Sequence, residues 1–117
     1  MGAACHTGNR TCFFNNIVKK EYVEKNPLTV LESVYAVIVD RMKNPKEDSY
    51  TNAVMEKGID EILKKLGHEC TEIILAAKNP DSDDLKFEIS DFMYHCMILM
   101  AQKNITWAEI AGELAQR

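Results

Sequence analysis

The chain has 117 residues, 46% of them apolar and 27% charged, values typical of a single globular domain rather than a disordered or fibrous protein. Its 14 basic and 18 acidic side chains leave a net charge of −4, which argues against a general nucleic-acid-binding protein. The sequence shows no signal-peptide pattern and no uncharged run near the roughly 20 residues of a membrane-spanning helix. We therefore expect a cytoplasmic domain with neither nucleic acid nor membrane as a partner.

Two regions of the sequence differ in character and divide before Pro27. Residues 1–26 are rich in Asn and contain two cysteines, and within them only Phe13–Val18 carries a weak strand pattern. We expect a short irregular or β-like extension there. Residues 27–117 show helical periodicity almost throughout, so the predicted fold class is all-α, a bundle of four or five helices.

The first predicted helix runs over about 29–42 and opens with a capping box, in which the Thr29 hydroxyl and the Glu32 carboxylate each bond a free backbone N–H. A breaker loop over 44–48 separates it from a short helix that ends at Gly58. The last predicted helix follows Asn104, a suitable C-cap residue. It begins with a second capping box, Thr106 and Glu109, and places these residues on one side: Trp107, Ile110 and Leu114.

The two longest helices lie between these elements, over 59–77 and about 83–103, and each repeats apolar residues at helical spacing. The stripe expected to face inward on the first is Ile59, Ile62, Leu63, Leu66, Cys70, Ile73, Ile74 and Ala77. The stripe expected on the second is Leu85, Ile89, Phe92, Met93, Cys96, Leu99 and Met100. We expect Cys70 and Cys96 to be inert core thiols, and Met93, Met97 and Met100 to lie in the core or in a dimer interface.

Paired acids border both stripes. Glu69 and Glu72 are three residues apart, hence about 60° apart around their helix, and Glu88 and Asp91 repeat this spacing on the next helix. Taken singly, each acid is best interpreted as a solvated side chain on an amphipathic helix. Together at one edge of a core they would repel one another and hold protons unless a cation neutralised them. All-oxygen ligands favour Mg²⁺, or Mn²⁺, over zinc, and Mg²⁺ bound in this way commonly holds phosphates.

At these residues the sequence resembles the all-α nucleoside-triphosphate pyrophosphohydrolases, which share an E-x-x-E … E-x-x-D metal motif. It is most similar to the phosphoribosyl-ATP pyrophosphatases of histidine biosynthesis, over about residues 28–117. The matching stretches are Leu31–Tyr35 with Asp40-Arg41, Ser49-Tyr50-Thr51, Gly58, Lys65-Leu66-Gly67, Glu69–Glu72, Ala76–Asn79, Glu88–Asp91 and Tyr94-His95. The chain departs from the family at His68, where a glutamate is usual, and His68 lies about 40° from Glu72 around the helix.

The resemblance implies Mg²⁺-dependent hydrolysis of phosphoribosyl-ATP to phosphoribosyl-AMP and pyrophosphate, by a homodimer. It implies the metal ligands and catalytic residues Glu69, Glu72, Glu88 and Asp91. Candidate substrate contacts are Arg41, Ser49, Tyr50, Thr51, Lys65 and Lys78, with Lys57 as a further candidate phosphate contact. A solvated role competes for each cation, and helix capping competes for Ser49. For His95 we favour a core position, or one that orients Asp91, over ligation.

Residues 2–14 carry a second resemblance, to the end of phosphoribosyl-AMP cyclohydrolase, which precedes the pyrophosphatase in bifunctional proteins. Cysteines matching Cys5 and Cys12 help to bind zinc in that family, but its upstream metal motifs are absent from this sequence. We therefore interpret 1–26 as a remnant of the cyclohydrolase tail with a linker, and 27–117 as the pyrophosphatase domain. The alternatives left open are a pyrophosphohydrolase of another nucleoside triphosphate and a paralogue weakened by His68.

Overall fold

A computed structural model describes residues 26–117 of the chain. Over these residues the all-α prediction is confirmed, with five helices and no strand. The helices are α1 (Thr29–Lys43), α2 (Tyr50–Lys57), α3 (Ile59–Ala77), α4 (Asp83–Gln102) and α5 (Trp107–Ala115). The predicted extension over 1–26, with its strand pattern at Phe13–Val18 and its two cysteines, lies outside the described range, apart from Asn26.

The chain divides into two compact units between Ala36 and Val37, within α1. The described part of the first unit begins at Asn26, whose side-chain oxygen accepts a hydrogen bond from the backbone N–H of Leu28 at 2.9 Å. The Thr29 hydroxyl donates to the Asn26 carbonyl at 2.7 Å. The predicted capping box at Thr29 is therefore wrong, because Thr29 already lies inside the helix and Asn26 bonds its first turn.

The second unit, Val37–Arg117, is organised around α3 and α4, which pack along each other, with α2 against both. The fully buried side chains Ile38, Ile62 and Ile98 contribute to its core. Burying side chains of this size stabilises the fold by roughly 1.5–3 kcal/mol each.

Short polar contacts fix α2, the helix that carries three of the predicted substrate contacts. The Ser49 hydroxyl accepts from the backbone N–H of Asn52 at 3.1 Å, as an N-cap. The Asn52 side chain donates to the Arg41 carbonyl at 2.8 Å and accepts from the Lys46 N–H at 2.9 Å, which ties α2 to the preceding loop. Gly58 ends α2 with a φ of 98°, a conformation that favours glycine, and α3 begins at the next residue.

The end of α4 and the start of α5 confirm two predictions. Asn104 follows α4 with a φ of 61°, and Ile105 N–H bonds the Met100 carbonyl at 2.9 Å, the pattern of a Schellman motif. Thr106 and Glu109 form the reciprocal capping box expected at α5. Among the described residues, none of the helices combines the length and apolar character that crossing a membrane requires.

The predicted inward stripes are only partly correct. The exposed members are Leu63, Cys70, Ile74 and Ala77 of α3 and Ile89 of α4. The reason is geometric, since the apolar arc of each helix is wider than the face its neighbours cover within one chain. Cys70 is therefore not the core thiol that we expected, whereas Cys96 is half-buried. Met97 is buried, in agreement with the expected core position of the methionines, and Ile98 is buried although the stripe omitted it.

Candidate metal centre

The α3–α4 pair brings the four predicted carboxylates into one cluster. Glu69 and Glu72 come from α3, and Glu88 and Asp91 come from α4. Burial is the main cause that raises the pKa of Glu88, and the negative charges of Glu72 and Asp91 raise this pKa further. Since the acids of each helix raise a pKa on the other helix, the cluster has the mutual repulsion that the sequence predicted for it.

Glu69 is the most deeply placed of the four. Its side chain lies on the buried face of α3, with 6% of the residue exposed. Burial raises its pKa from 4.5 to about 7, and the neighbouring charges of Asp91 and Glu88 add to this effect. The sequence predicted a place at the border of the apolar stripe, which is wrong because Glu69 shares its face with Ile62 and Ala76, seven residues away on either side.

One oxygen of Glu69 bears on whether a cation would suit this cluster. Oε1 is fully buried and has no hydrogen-bond partner among the described residues. An unpaired buried carboxylate oxygen is costly unless it is protonated or binds a cation. The donor set of carboxylates is the one that Mg²⁺ and Mn²⁺ prefer. Metal ligation by the four acids stays a prediction.

His95 lies beside the cluster and is 3% exposed. One of its ring nitrogens and one oxygen each of Glu69 and Asp91 lie within 4.8 Å of one another. Its Nδ1 is 2.8 Å from the backbone carbonyl oxygen of Asp91 and 3.7 Å from that residue's Oδ1. This placement agrees with the expected core position of His95 next to Asp91.

The predicted substrate contacts on α2 lie against α4 through their hydroxyls. The Tyr50 hydroxyl is 2.8 Å from His95 Nε2, and the Thr51 hydroxyl is 2.6 Å from that of Tyr94. Thr51 is buried, whereas Tyr50 is 42% exposed. Burial, followed by the charges of Asp91 and Glu69, raises the pKa of Tyr50 to about 12. The sequence did not predict these hydrogen bonds of the Tyr50 and Tyr94 hydroxyls, because no local spacing relates α2 to α4.

The predicted cationic contacts are spread over the molecule. Lys65 Nζ lies 6.0 Å from the centre of the Tyr50 ring and 3.9 Å from a Glu61 oxygen. Arg41 pairs with the adjacent Asp40 at 3.3 Å. Lys78 is exposed just after the end of α3, and Lys57 is exposed at the end of α2. Of these four cationic side chains, only Lys65 lies near Tyr50, whose hydroxyl bonds His95 beside the cluster.

His68, the departure from the family pattern, lies at the edge of the cluster. Its Nε2 is 3.6 Å from Glu72 Oε2, and its side chain is 64% exposed. The two groups form an ion pair only when the histidine is protonated. A surface pair of this kind contributes about 0–1 kcal/mol to stability, so His68 is not needed to hold the fold together.

One family of known proteins matches most of this chain. The sequence model of the phosphoribosyl-ATP pyrophosphohydrolase family matches residues 31–117, which include the whole cluster. A phosphoribosyl-ATP pyrophosphatase of Clostridium novyi is 51% identical over 90 residues, 77% of this chain and 82% of that protein. Another, of Bacillus cereus, is 47% identical over 93 residues, 80% of this chain and 84% of that protein.

The bifunctional relatives match more of this chain but extend further. A histidine biosynthesis bifunctional protein HisIE of Caldanaerobacter subterraneus subsp. tengcongensis is 45% identical over 116 residues, 99% of this chain and 55% of that protein. The chain thus spans about half the length of such relatives. Family match and identities together confirm the resemblance recognised from the sequence: the chain belongs to the phosphoribosyl-ATP pyrophosphohydrolase family.

Proposed function

We propose that this chain hydrolyses phosphoribosyl-ATP to phosphoribosyl-AMP and pyrophosphate, a step of histidine biosynthesis. The names of the relatives support the substrate. The observation that carries the proposal is the buried, unpartnered oxygen of Glu69, a carboxylate whose pKa is raised further by its acidic neighbours Asp91 and Glu88. The proposed metal is Mg²⁺, with Mn²⁺ as a substitute, and the proposed ligands are Glu69, Glu72, Glu88 and Asp91.

The reaction adds water across the phosphoanhydride between the α and β phosphates. One phosphorus–oxygen bond breaks, the water oxygen stays on one phosphate product, and its protons pass to the products or to solvent. Bound Mg²⁺ would supply positive charge opposite the phosphate oxygens and would make a coordinated water more acidic. Most of the remaining work of the chain is positioning and electrostatic stabilisation.

Lys65 is the side chain that we propose for contact with the substrate phosphates. Its ammonium group is partly exposed and lies over the ring of Tyr50, whose hydroxyl bonds His95. Of the other predicted contacts, Ser49 and Thr51 already have partners within the chain, so their hydroxyls also hold α2 in place. Arg41 and Lys78 stay predictions as phosphate contacts.

We further propose that two copies of the chain associate. Leu63, Ile74 and Leu75 on α3 are between 48% and 61% exposed, and Phe87 and Ile89 on α4 are 38% and 42% exposed. Exposed apolar residues on two adjacent helices are typical of surfaces that a partner covers. The homodimer implied by the family resemblance supplies that partner.

The segment over 1–26 also belongs to the proposal. The HisIE relatives match 95–100% of this chain, whereas the single-function pyrophosphatases match 74–80%. This difference supports the interpretation of 1–26 as cyclohydrolase tail and linker, with the pyrophosphatase domain over 27–117. The cytoplasmic location stays a prediction.

A substrate comparison tests the proposal. Pyrophosphate release from phosphoribosyl-ATP, dUTP and dCTP would be measured with the native chain and with His68→Glu. We expect release from phosphoribosyl-ATP by the native chain and little from the other two nucleotides. Release from dUTP or dCTP alone would assign another nucleotide as substrate, and release only after His68→Glu would identify a disabled copy of the enzyme.

A further inference from the structure

The three consecutive residues at the start of α2 separate into two buried anchors and one exposed ring. Ser49 is buried and caps the helix, and Thr51 is buried with its hydroxyl 2.6 Å from that of Tyr94. Tyr50 is exposed, but its hydroxyl already lies 2.8 Å from His95 Nε2. What Tyr50 offers to a ligand is therefore its aromatic ring.

The Tyr50 ring borders the carboxylate cluster. It meets the His95 ring edge to face, with centroids 5.7 Å apart and an interplanar angle of 89°. His95 in turn has a ring nitrogen within 4.8 Å of oxygens from Glu69 and Asp91. In a nucleotide, a single ribose separates the α phosphate from the base. A ring that borders the proposed phosphate site is therefore within reach of the base.

The surroundings of the Tyr50 ring favour a cation. Lys65 Nζ lies over the ring, 6.0 Å from its centre, and the face of an aromatic ring carries partial negative charge. Burial is the main cause that raises the pKa of Tyr50, and the negative charges of Asp91, Glu69 and Glu61 raise this pKa further. Glu61 is not among the proposed metal ligands, so its charge remains beside the ring when Mg²⁺ binds.

The proposed substrate carries a planar cation that ATP lacks. In phosphoribosyl-ATP the second ribose is attached to N1 of the adenine. An adenine substituted at N1 is a much stronger base than adenine itself and holds a proton near neutral pH. Its ring is then positively charged, whereas the adenine ring of ATP is neutral. A planar cation of this kind is suited to lie on an aromatic face.

We propose that Tyr50 is a specificity-determining residue: its ring face receives the positively charged, N1-substituted adenine and so selects phosphoribosyl-ATP over ATP. Lys65 leaves the ring for the substrate phosphates, and the adenine cation takes its place. One positive charge thus faces the ring before and after the substrate binds. This inference rests on the proposed function, because it assumes that the phosphates lie at the carboxylate cluster.

Binding of three nucleoside monophosphates tests this role without any measurement of catalysis, because none of them has a phosphoanhydride to hydrolyse. N1-methyl-AMP carries the positive charge but no second ribose or phosphate, N6-methyl-AMP is its neutral isomer, and AMP is the reference. NMR titrations, which tolerate weak binding, would compare them near neutral pH with Mg²⁺ present. The chains are the native one, Tyr50→Phe, Tyr50→Leu and Tyr94→Phe, and thermal unfolding would establish that each is folded.

The native chain is expected to bind N1-methyl-AMP about tenfold more tightly than AMP or N6-methyl-AMP. Tyr50→Phe keeps the ring and should keep most of this preference, whereas Tyr50→Leu should lose it. Tyr94→Phe removes a neighbouring hydroxyl and should leave the preference unchanged. Equal binding of the three nucleotides by the native chain, no detectable binding of N1-methyl-AMP, or a preference that persists in Tyr50→Leu would overturn the proposal. Loss of the preference in Tyr50→Phe would assign it to the hydroxyl and overturn the role of the ring.

Two further measurements complete the test. Nuclear Overhauser effects between the purine protons of N1-methyl-AMP and the Tyr50 ring protons should appear in the native chain, and their absence at saturation would contradict the stacking without any variant. The KM for phosphoribosyl-ATP should rise about tenfold in Tyr50→Leu. A native chain that releases pyrophosphate from phosphoribosyl-ATP but shows no preference for N1-methyl-AMP would overturn this inference alone. A native chain that releases none would overturn the proposed function.

Discussion

Glu69 and Ile62 lie seven residues apart on the same face of α3, and both are buried, with 6% and 0% exposed. A carboxylate thus occupies a position that would otherwise belong to the core. Its Oε1 has no hydrogen-bond partner among residues 26–117. The fold therefore carries a local electrostatic penalty at the place where the cation is proposed to bind, which links stability to metal binding.

Glu69→Gln should stabilise the metal-free chain at pH 8, because it removes a buried negative charge that Asp91 and Glu88 repel. We expect a gain on the order of 1–2 kcal/mol in the free energy of unfolding, measured by urea denaturation with EDTA present. Added Mg²⁺ should stabilise the native chain more than the variant. Glu113→Gln, an exposed change on α5, is the control and should behave like the native chain. Strong destabilisation by Glu69→Gln without metal would contradict this account.

The stability of the metal-free chain should fall as the pH rises from about 4.5 to about 7. In this window the folded state keeps a proton on Glu69, whose pKa is raised to about 7, while the unfolded state with its pKa of 4.5 has released it. Since the folded state binds more protons, unfolding becomes easier with increasing pH, by an amount on the order of 2 kcal/mol over the window. Urea denaturation at several pH values measures the slope.

The same slope has an internal control. It should be largely lost in Glu69→Gln and should weaken or reverse when Mg²⁺ is present, because the metal competes with the proton. A slope that is identical in Glu69→Gln would place its origin elsewhere in the chain.

His68→Glu should strengthen Mg²⁺ binding several-fold, because it places a carboxylate where Nε2 now lies 3.6 Å from Glu72. His68→Gln separates the effect of added charge from the loss of the imidazole, and it should change the affinity little. Calorimetric titration with Mg²⁺ compares the three chains. Weaker Mg²⁺ binding by His68→Glu would contradict this prediction. It would indicate that His68 positions Glu72 for binding.

Ile74→Glu should dissociate the proposed dimer, since Ile74 is 61% exposed in the single chain and would be covered in the pair. Sedimentation equilibrium of the native chain should give about twice the chain mass, and that of the variant should approach the chain mass itself. Lys103→Glu changes an exposed residue just after α4 and serves as the control. A native chain that sediments as a monomer at all concentrations would contradict the dimer.

Local sequence signals predicted the helices well. Ser49, Gly58 and the Thr106–Glu109 box lie at helix ends as expected, because capping depends on residues that are neighbours in the chain. The Thr29 box failed because Asn26, three residues earlier, offered a competing cap. When two possible caps lie a few residues apart, the sequence pattern alone does not decide which of them forms.

Burial and long-range contacts were less predictable. Helical spacing gives the apolar arc of α3 but not which part of it a neighbour covers, so Leu63 and Ile74 were assigned inward and Glu69 to a border. The four acids were predicted to meet because both helices repeat the same spacing beside a short connection. The contact between Tyr50 and His95 joins residues 45 positions apart and depends on how α2 packs on α4, which no spacing encodes.

The most direct test of the central claim is the Mg²⁺ dependence of pyrophosphate release from phosphoribosyl-ATP. The native chain, Glu69→Gln and Glu113→Gln would be compared across a Mg²⁺ titration, with EDTA as the zero point. The account predicts release that requires Mg²⁺ in the native chain and in Glu113→Gln, and a loss of at least about 100-fold in Glu69→Gln. Undiminished release by Glu69→Gln, or full release in EDTA, would contradict the claim that this carboxylate cluster is the metal centre of the reaction.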